Sequence, residues 1–347
     1  MEMLAVSSLL SSNLWTILIN GFAKWIVNYG WTIIVFTICL KLVLSPLDVL
    51  QRVFSGKQAR ITNAMQPELA ALQKKYADNK EKLNQETNKV YKKYNTGMGG
   101  MCVVLLVTMV LNLVILFTLY STVRNLGNEK LYTSYQELET SYVTAKNNAD
   151  ISLSDEEKNT LLVTVVEDKY EELSKQNSWL WVKNVWKSDT KTSQFVDFES
   201  YAKYRNLSEA DKQTAKENYD FITSTINAKN NGNDINGYYI LIILAVAISF
   251  LTQFLTSKLL GQKGQKMPMM NKVMLAVVPI TMLILASTSN VIYTLYIITN
   301  SLITAIISTI LSLIMKKTNK KYEGHEDEIL LKKKNVEVVE YSRNYKK

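Results

Sequence analysis

The sequence predicts an all-α polytopic membrane protein: a five-helix transmembrane bundle with a polar groove, a cytoplasmic helical hairpin and a helical extracellular insert. Three observations carry that reading. Within 347 residues, five long apolar stretches separate segments dense in Lys, Glu, Asn and Tyr, and a membrane-crossing helix needs roughly 20 such residues. Cations crowd alternate connections, the asymmetry that orients membrane chains. The third observation is a set of exclusions. Cys39, Cys102 and a single His325 cannot build a zinc cluster, a Cys–His or Ser–His–Asp nucleophile system, or a disulfide scaffold. No enzymatic role, metal or cofactor is expected. With 12 Gly and 4 Pro, collagen-like, Pro-rich and most all-β repeat designs are excluded too.

Residues 1–29 are apolar but punctuated by polar side chains, without a basic leader or a cleavage site. Leu14, Ile17, Leu18, Phe22, Trp25 and Ile26 mark one face, which predicts an amphipathic helix in the outer interface. An uncleaved sixth span is the alternative, interrupted by Asn20, Lys24 and Asn28. The first span occupies 30–50, with its apolar core at 31–47. The second occupies 100–124, with its core at 101–123, and the third 239–258. The fourth and fifth share 272–315, split at Ser287-Thr288-Ser289-Asn290, a natural turn.

Between the first two spans, 51–99 carries ten Lys/Arg against four acids. Ile61, Met65, Leu69, Leu72 and Tyr76 form one stripe, Asp78-Asn79 offers a turn, and Leu83, Val90 and Tyr94 continue on a second helix. That is a charged hairpin. The 259–271 loop and the 316–347 tail are also basic, the tail with ten Lys/Arg against six acids. By contrast 125–238 has 13 Lys/Arg and 19 acids, a net of 13 − 19 = −6. Cations mark the cytoplasmic side, so the N-terminus and insert fall outside and the hairpin and tail inside. All six tryptophans (Trp15, Trp25, Trp31, Trp179, Trp181, Trp186) fall on outer segments, which reads as an interfacial belt. The insert reads as helices at about 129–148, 154–177 and 208–228, with starts at Ser154 and Ser208. Asn230 to Gly237 reads as a flexible return to the membrane.

Polar groups inside the spans are the candidates for function. Lys41 lies ten residues beyond Trp31, roughly 15 Å deep at ~1.5 Å per residue, where a cation costs ~2.5–3.5 kcal/mol on insertion scales. Snorkelling is the alternative to a hydrated cavity, but Asp48 and Arg52 at the membrane face look beyond easy reach. Thr108 and Asn112 share a face of span two, Ser249 and Gln253 a face of span three, and Thr299, Asn300, Thr304 and Ser308 stripe span five. Singly, such residues often bond their own backbone or a neighbouring helix. Together they outline a shared groove. No span is expected to carry an acid, which argues against ion-coupled transport through carboxylates.

These residues resemble a known family, the YidC/Oxa-type membrane protein insertases, over about 30–125, 178–189 and 238–316. Lys41 through Pro46-Leu47 looks like the family's Arg-(apolar)-Pro-Leu ending. Met65-Gln66-Pro67-Glu68-Leu69, then Lys74-Lys75-Tyr76, is the most specific match. Leu180-Trp181-Val182 with Asp189, Gln253, Pro279, Leu295-Tyr296 and Asn300 add to it. Lys41 replaces the Arg, Thr108 and Val110 stand where Gln and Pro are usual, and Ile297 stands where Trp is frequent. The resemblance implies a membrane protein insertase and chaperone without bound cofactor. Its clients would be nascent membrane proteins, with the lipid bilayer, the ribosome (through hairpin and basic tail) and the Sec translocon as candidate partners, and no DNA. A small-solute transporter or channel is the alternative, though no repeat or broken helix suggests one. An anchored scaffold, the third reading, leaves Lys41 without a purpose.

Overall fold

The computed structural model describes residues 2–93, 98–260 and 269–320. Tyr94, most of the 259–271 loop and the tail from 321 lie outside the described residues, as do the side chains of Ile61 and Thr108. Ten helices are described: α1 (Glu2–Ile26), α2 (Tyr29–Lys75), α3 (Lys80–Lys93), α4 (Met98–Asn148), α5 (Asp155–Asn177), α6 (Phe198–Arg205), α7 (Glu209–Lys229), α8 (Ile240–Leu260), α9 (Met269–Thr288) and α10 (Val291–Lys320). Among the described residues no strand forms; pairing is limited to two isolated bridges, Trp179 with Val182 and Ser193 with Ile235.

Among the described residues, three helical stretches are long and apolar enough to cross a membrane: Tyr29–Gln51, Val110–Asn148 and Val291–Ile314. Ile240–Thr256 and Leu275–Thr288 are shorter apolar segments. The chain is therefore an all-α, multi-pass membrane protein. Two helices run further than the sequence suggests. Helix α2 passes without a break from its span into the hairpin, across Pro46 and Pro67. Pro46 has no N–H for the Leu42 carbonyl; the Ser45 hydroxyl donates to that oxygen instead, at 2.8 Å. Helix α4 likewise carries its span into the insert, so the helix expected at 129–148 is its continuation.

The hairpin packs α3 on the end of α2 around buried Met65 and Val90, with Leu69 and Leu72 beside them. Asn79 caps α3 by accepting from the Lys82 N–H. The insert packs the end of α4 with α5 and α7 around Tyr135, Leu138, Val166, Ile222 and Ile226. Helix α5 starts at the expected capping box, Ser154 with Glu157, and Ser208 caps α7.

Four expectations need correction. Helix α1 packs Trp15, Ile19 and Phe22 against α2 and α4, with the Trp15 and Phe22 rings edge-on to Phe36 and Trp15 Nε1 donating to Thr118 Oγ1 at 3.0 Å. Leu14, Ile17, Leu18 and Trp25 form its exposed side. Apolar groups thus occupy both faces, not the single one expected. The tryptophans do not form one belt: Trp186 is buried and donates to the Asn177 side chain, while Trp25 and Trp31 stay exposed. Asn230–Gly237 is no loose return. Asn236, fully buried, bonds Asn184 N, Asn184 O and Ser188 O through its amide, because an amide side chain can mimic a strand partner where no strand exists. The fourth correction concerns Lys41 and is described with the site.

The junction between insert and bundle is held by Asp189. This fully buried carboxylate accepts from Trp181 Nε1, Tyr238 N and, at 2.6 Å, Leu241 N at the start of α8. A Cβ on Gly237 would sit 1.9 Å from Asp189 Oδ1, so only glycine fits there. Asp189→Ala should strand three donors, at ~1–3 kcal/mol for each buried group left unpaired. Thermal unfolding in detergent, followed by tryptophan fluorescence, should show a lower midpoint for Asp189→Ala and for Gly237→Ala, with Ile151→Ala at an exposed position unchanged.

Candidate functional site: a bundle that turns polar halfway

Two ends of the bundle can be told apart without reference to sidedness: one bears the insert, the other the hairpin. The buried apolar core lies wholly toward the insert end. Its deepest members are Phe36 on α2, Leu119 on α4, Ala245 on α8, Ala286 on α9 and Ile298 on α10. Helix α10 is central, packing against α2, α8, α9 and α4; every residue from Val291 to Thr299 is buried. Tyr293 pins it to α4 by donating to the Leu116 carbonyl and meeting the Tyr120 ring edge-on. The α9–α10 turn falls at the predicted tetrapeptide, where Asn290 caps α10 and donates to Val123 O on α4.

One turn further toward the hairpin, the chemistry changes on each inward stripe. On α2 the buried series Ile33, Phe36, Thr37 reaches Lys41, only 6 % exposed. On α8 Leu241 and Ala245 give way to Ser249, buried with no hydrogen-bond partner for its hydroxyl among the described residues, and then to half-buried Gln253. On α10 Ile298 gives way to buried Thr299 and half-buried Asn300. Thr252 Oγ1 ties α8 to α10 by donating to the Ser301 carbonyl at 3.2 Å. Counting from the insert end of each helix, Lys41, Ser249 and Thr299 lie roughly 12–18 Å along at ~1.5 Å per residue. That places them within about one helical turn of one another along the bundle.

Helix α4 behaves differently there. Every residue from Val110 to Val114, Asn112 included, is exposed. Five consecutive exposed residues exceed one helical turn, so no face of α4 is packed at that level. The bundle is closed at the insert end and splayed toward the hairpin. Asn112 therefore stands on the splayed helix rather than in packed contact with the polar residues of α2, α8 and α10.

Lys41 is not unpartnered. Its Nζ donates to Asp48 Oδ2 at 3.2 Å, with side chains 8 % and 19 % exposed. The expectation that Asp48 lies out of reach is wrong, as is the absence of an acid from the spans, since α2 stays apolar as far as Gln51. The reason is helical geometry. Seven residues are two turns, so both side chains lie on one stripe, and the long lysine stem covers the axial gap. The i,i+7 spacing was the available sequence signal.

On the hairpin, Gln66 and Pro67 are exposed, and Glu68 pairs with Lys93 of α3 at 2.7 Å. Lys74 and Lys75 are exposed in the last turn of α2, with the Lys75 ammonium 5.4 Å from the ring of Tyr76, the α2 C-cap.

Fold and site together define a multi-pass helical membrane protein with a closed half that is largely apolar, its buried Thr32, Thr37 and Thr294 bonded to backbone carbonyls, and a splayed half that is more polar. The chain matches the family model described as 60Kd inner membrane protein over residues 21–321 and belongs to that family, the YidC/Oxa type. Curated relatives named "Membrane protein insertase YidC" are 36 % identical over 108 residues in Nitratidesulfovibrio vulgaris, 34 % over 108 in Fusobacterium nucleatum and 38 % over 102 in Clostridium tetani. Those stretches cover 31 %, 31 % and 28 % of this chain, and 19 %, 49 % and 41 % of the relatives. The matched stretch thus spans less than half of each of these relatives' own length.

The ion pair makes its own prediction. Asp48→Ala should destabilise the bundle by leaving a buried ammonium, by about 1–3 kcal/mol once partial exposure is discounted. Adding Lys41→Met should recover most of that loss. Thermal midpoints of the two single variants and the double variant, in one detergent, measure the coupling.

Proposed function

We propose that this chain is a membrane protein insertase that shelters the polar flank of an arriving transmembrane segment in the splayed half of its bundle. The observation that carries the proposal is the change from apolar to polar core at the level of Lys41. A charge held there has no use in packing, whereas a client crossing the bilayer must bring polar groups through hydrocarbon, at a cost of several kcal/mol for each unsatisfied one. Lys41, Asn112, Ser249, Gln253, Thr299 and Asn300, with Thr108 on the same helix as Asn112, offer those groups replacement partners. The apolar part of the client slides along exposed Phe250 and Leu251 of α8 and Leu302 and Ile306 of α10. Burial in lipid drives the step, at roughly 25 cal/mol per Å² of apolar surface removed from water.

In this proposal five helices (from α2, α4, α8, α9 and α10) cross the plasma membrane, with α1 and the insert outside and the hairpin and tail inside. Cation distribution supports that orientation. The hairpin's exposed Lys74, Lys75, Lys89 and Lys92 present a cationic surface suited to ribosomal RNA phosphates, and the basic tail adds to it. The Sec translocon would join where a client has several spans.

Depletion of the native protein and complementation with variants provides the test, using a short single-span client with an acidic flank. Lys41→Ala should slow its insertion roughly 5–30-fold, the range one or two kcal/mol gives. Lys41→Arg should keep most activity, since charge is retained. Equal insertion by wild type and Lys41→Ala would overturn the proposal.

A further inference from the structure

We propose that Asp48 sets the client specificity of the groove: its carboxylate occupies the place on Lys41 that a client's Asp or Glu takes, and clients must displace it. This rests on the insertase reading above. Three observations carry it.

The first is position. Asp48 lies two helical turns beyond Lys41 on the same stripe of α2, toward the hairpin end. A client entering from that end passes Asp48 before it meets the ammonium. The second is the character of the pair. Lys41 Nζ has three donors, and among the described residues its one hydrogen bond is the contact to Asp48 Oδ2. A monodentate contact leaves two donors for an incoming oxygen, so exchange can proceed with the ammonium paired throughout. The third is unequal burial. The Asp48 side chain is more than twice as exposed as that of Lys41, at 19 % against 8 %, so the displaced carboxylate can rehydrate at the mouth while Lys41 stays inside.

These features make the pair a filter. A client carboxylate replaces Asp48 like for like, and no charge is left uncompensated at the bundle's middle. A client amide or hydroxyl offers the ammonium less than Asp48 already does and stays on the α8–α10 side. Asp48 also repels an approaching acid, which raises the charge a client must carry. The groove should therefore favour segments with clustered acidic residues in the flank, and the strength of that preference should depend on residue 48. A static clamp would predict a different pattern: loss of function for all clients alike when Asp48 is changed.

The experiment uses the full chain in vesicles and two stalled single-span clients, identical except for two Asp or two Asn in the flank. Each carries a photo-crosslinker beside that flank, and crosslinking to the groove is compared as an acidic-to-neutral ratio. Asp48→Asn keeps an oxygen for Lys41 while removing the competing charge, and should raise the ratio roughly tenfold, the effect of about 1.4 kcal/mol. Asp48→Glu should keep the wild-type ratio, and Lys41→Gln with Asp48→Asn should bring the ratio to one. Asp48→Ser serves as a second neutral variant, with the thermal midpoint of each confirming folding. A wild-type ratio in both neutral variants, or equal loss of both clients, overturns the inference. Separately, Lys41→Ala inserting clients as well as wild type would overturn the insertase reading, so the two failures are distinguishable.

Discussion

An ammonium held at mid-depth in an apolar bundle is the constraint on which the rest of this structure depends. Lys41 continues the stripe that buries Ile33 and Phe36, so α2 cannot simply turn it toward lipid without exposing its own core contacts. The charge must be accommodated inside. The chain does so by pairing it with Asp48 and by placing hydroxyl and amide groups of α8 and α10 at its level. The apolar core is confined to the other half of the bundle. Stability and polarity are thus separated along the membrane normal. One half holds the helices together and leaves the other half free to open.

The closed half is secured from beyond the spans. The 178–197 segment is wedged between α2, α8 and α10: Trp179 fills the space that a side chain on Gly30 would need, and Val291 N donates to Lys187 O. Burial pushes the Lys187 ammonium below its ordinary range, opposed by Asp197 and Asp234; its Nζ donates to Phe195 O. Asp189 binds the start of α8, and the Asn236 amide stitches the returning chain to the same segment. The insert is thus anchored to the closed half by the hydrogen bonds of Asp189 and Asn236, at the end of the bundle away from the hairpin.

Much of this was legible in the sequence because hydropathy and helix punctuation are local. The five apolar helices, the Ser287–Asn290 turn, the Asp78-Asn79 turn and the starts of α5 and α7 all follow from patterns within a few residues. The depth of Lys41 singled it out but left a hydrated cavity and a stem climbing toward the hairpin end both open; its burial and its pairing with Asp48 come from the fold. What escaped depends on partners. Whether α2 and α4 end at the membrane is decided by packing in the hairpin and insert, which carries each helix past a local stop signal, Ser55-Gly56 in α2 and Gly127-Asn128 in α4. The burial of Trp186 depends on Tyr29, more than a hundred residues earlier, and the bonding of Asn236 on Asn184 and Ser188, about fifty residues earlier. Helix α1 has apolar residues all round, so its composition cannot say which face packs; Phe36 and Thr118 decide. The Asp48 pairing was within reach of sequence reasoning, but seven residues looked distant when counted along the axis rather than around the helix.

The most direct measurement of the central claim, a hydrated half-bundle open at the hairpin end, is the labelling of single cysteines with a membrane-impermeant maleimide. Cys39 and Cys102 would first be replaced by Ser, and cysteine placed at Asn112 or at Ile243, an exposed residue of α8 in the closed half. The account predicts rapid labelling at 112 from the hairpin side of inverted vesicles, none from the insert side, and none at 243 from either. Labelling at 112 as slow as at 243 from both sides would mean that α4 faces hydrocarbon there, and would contradict the account.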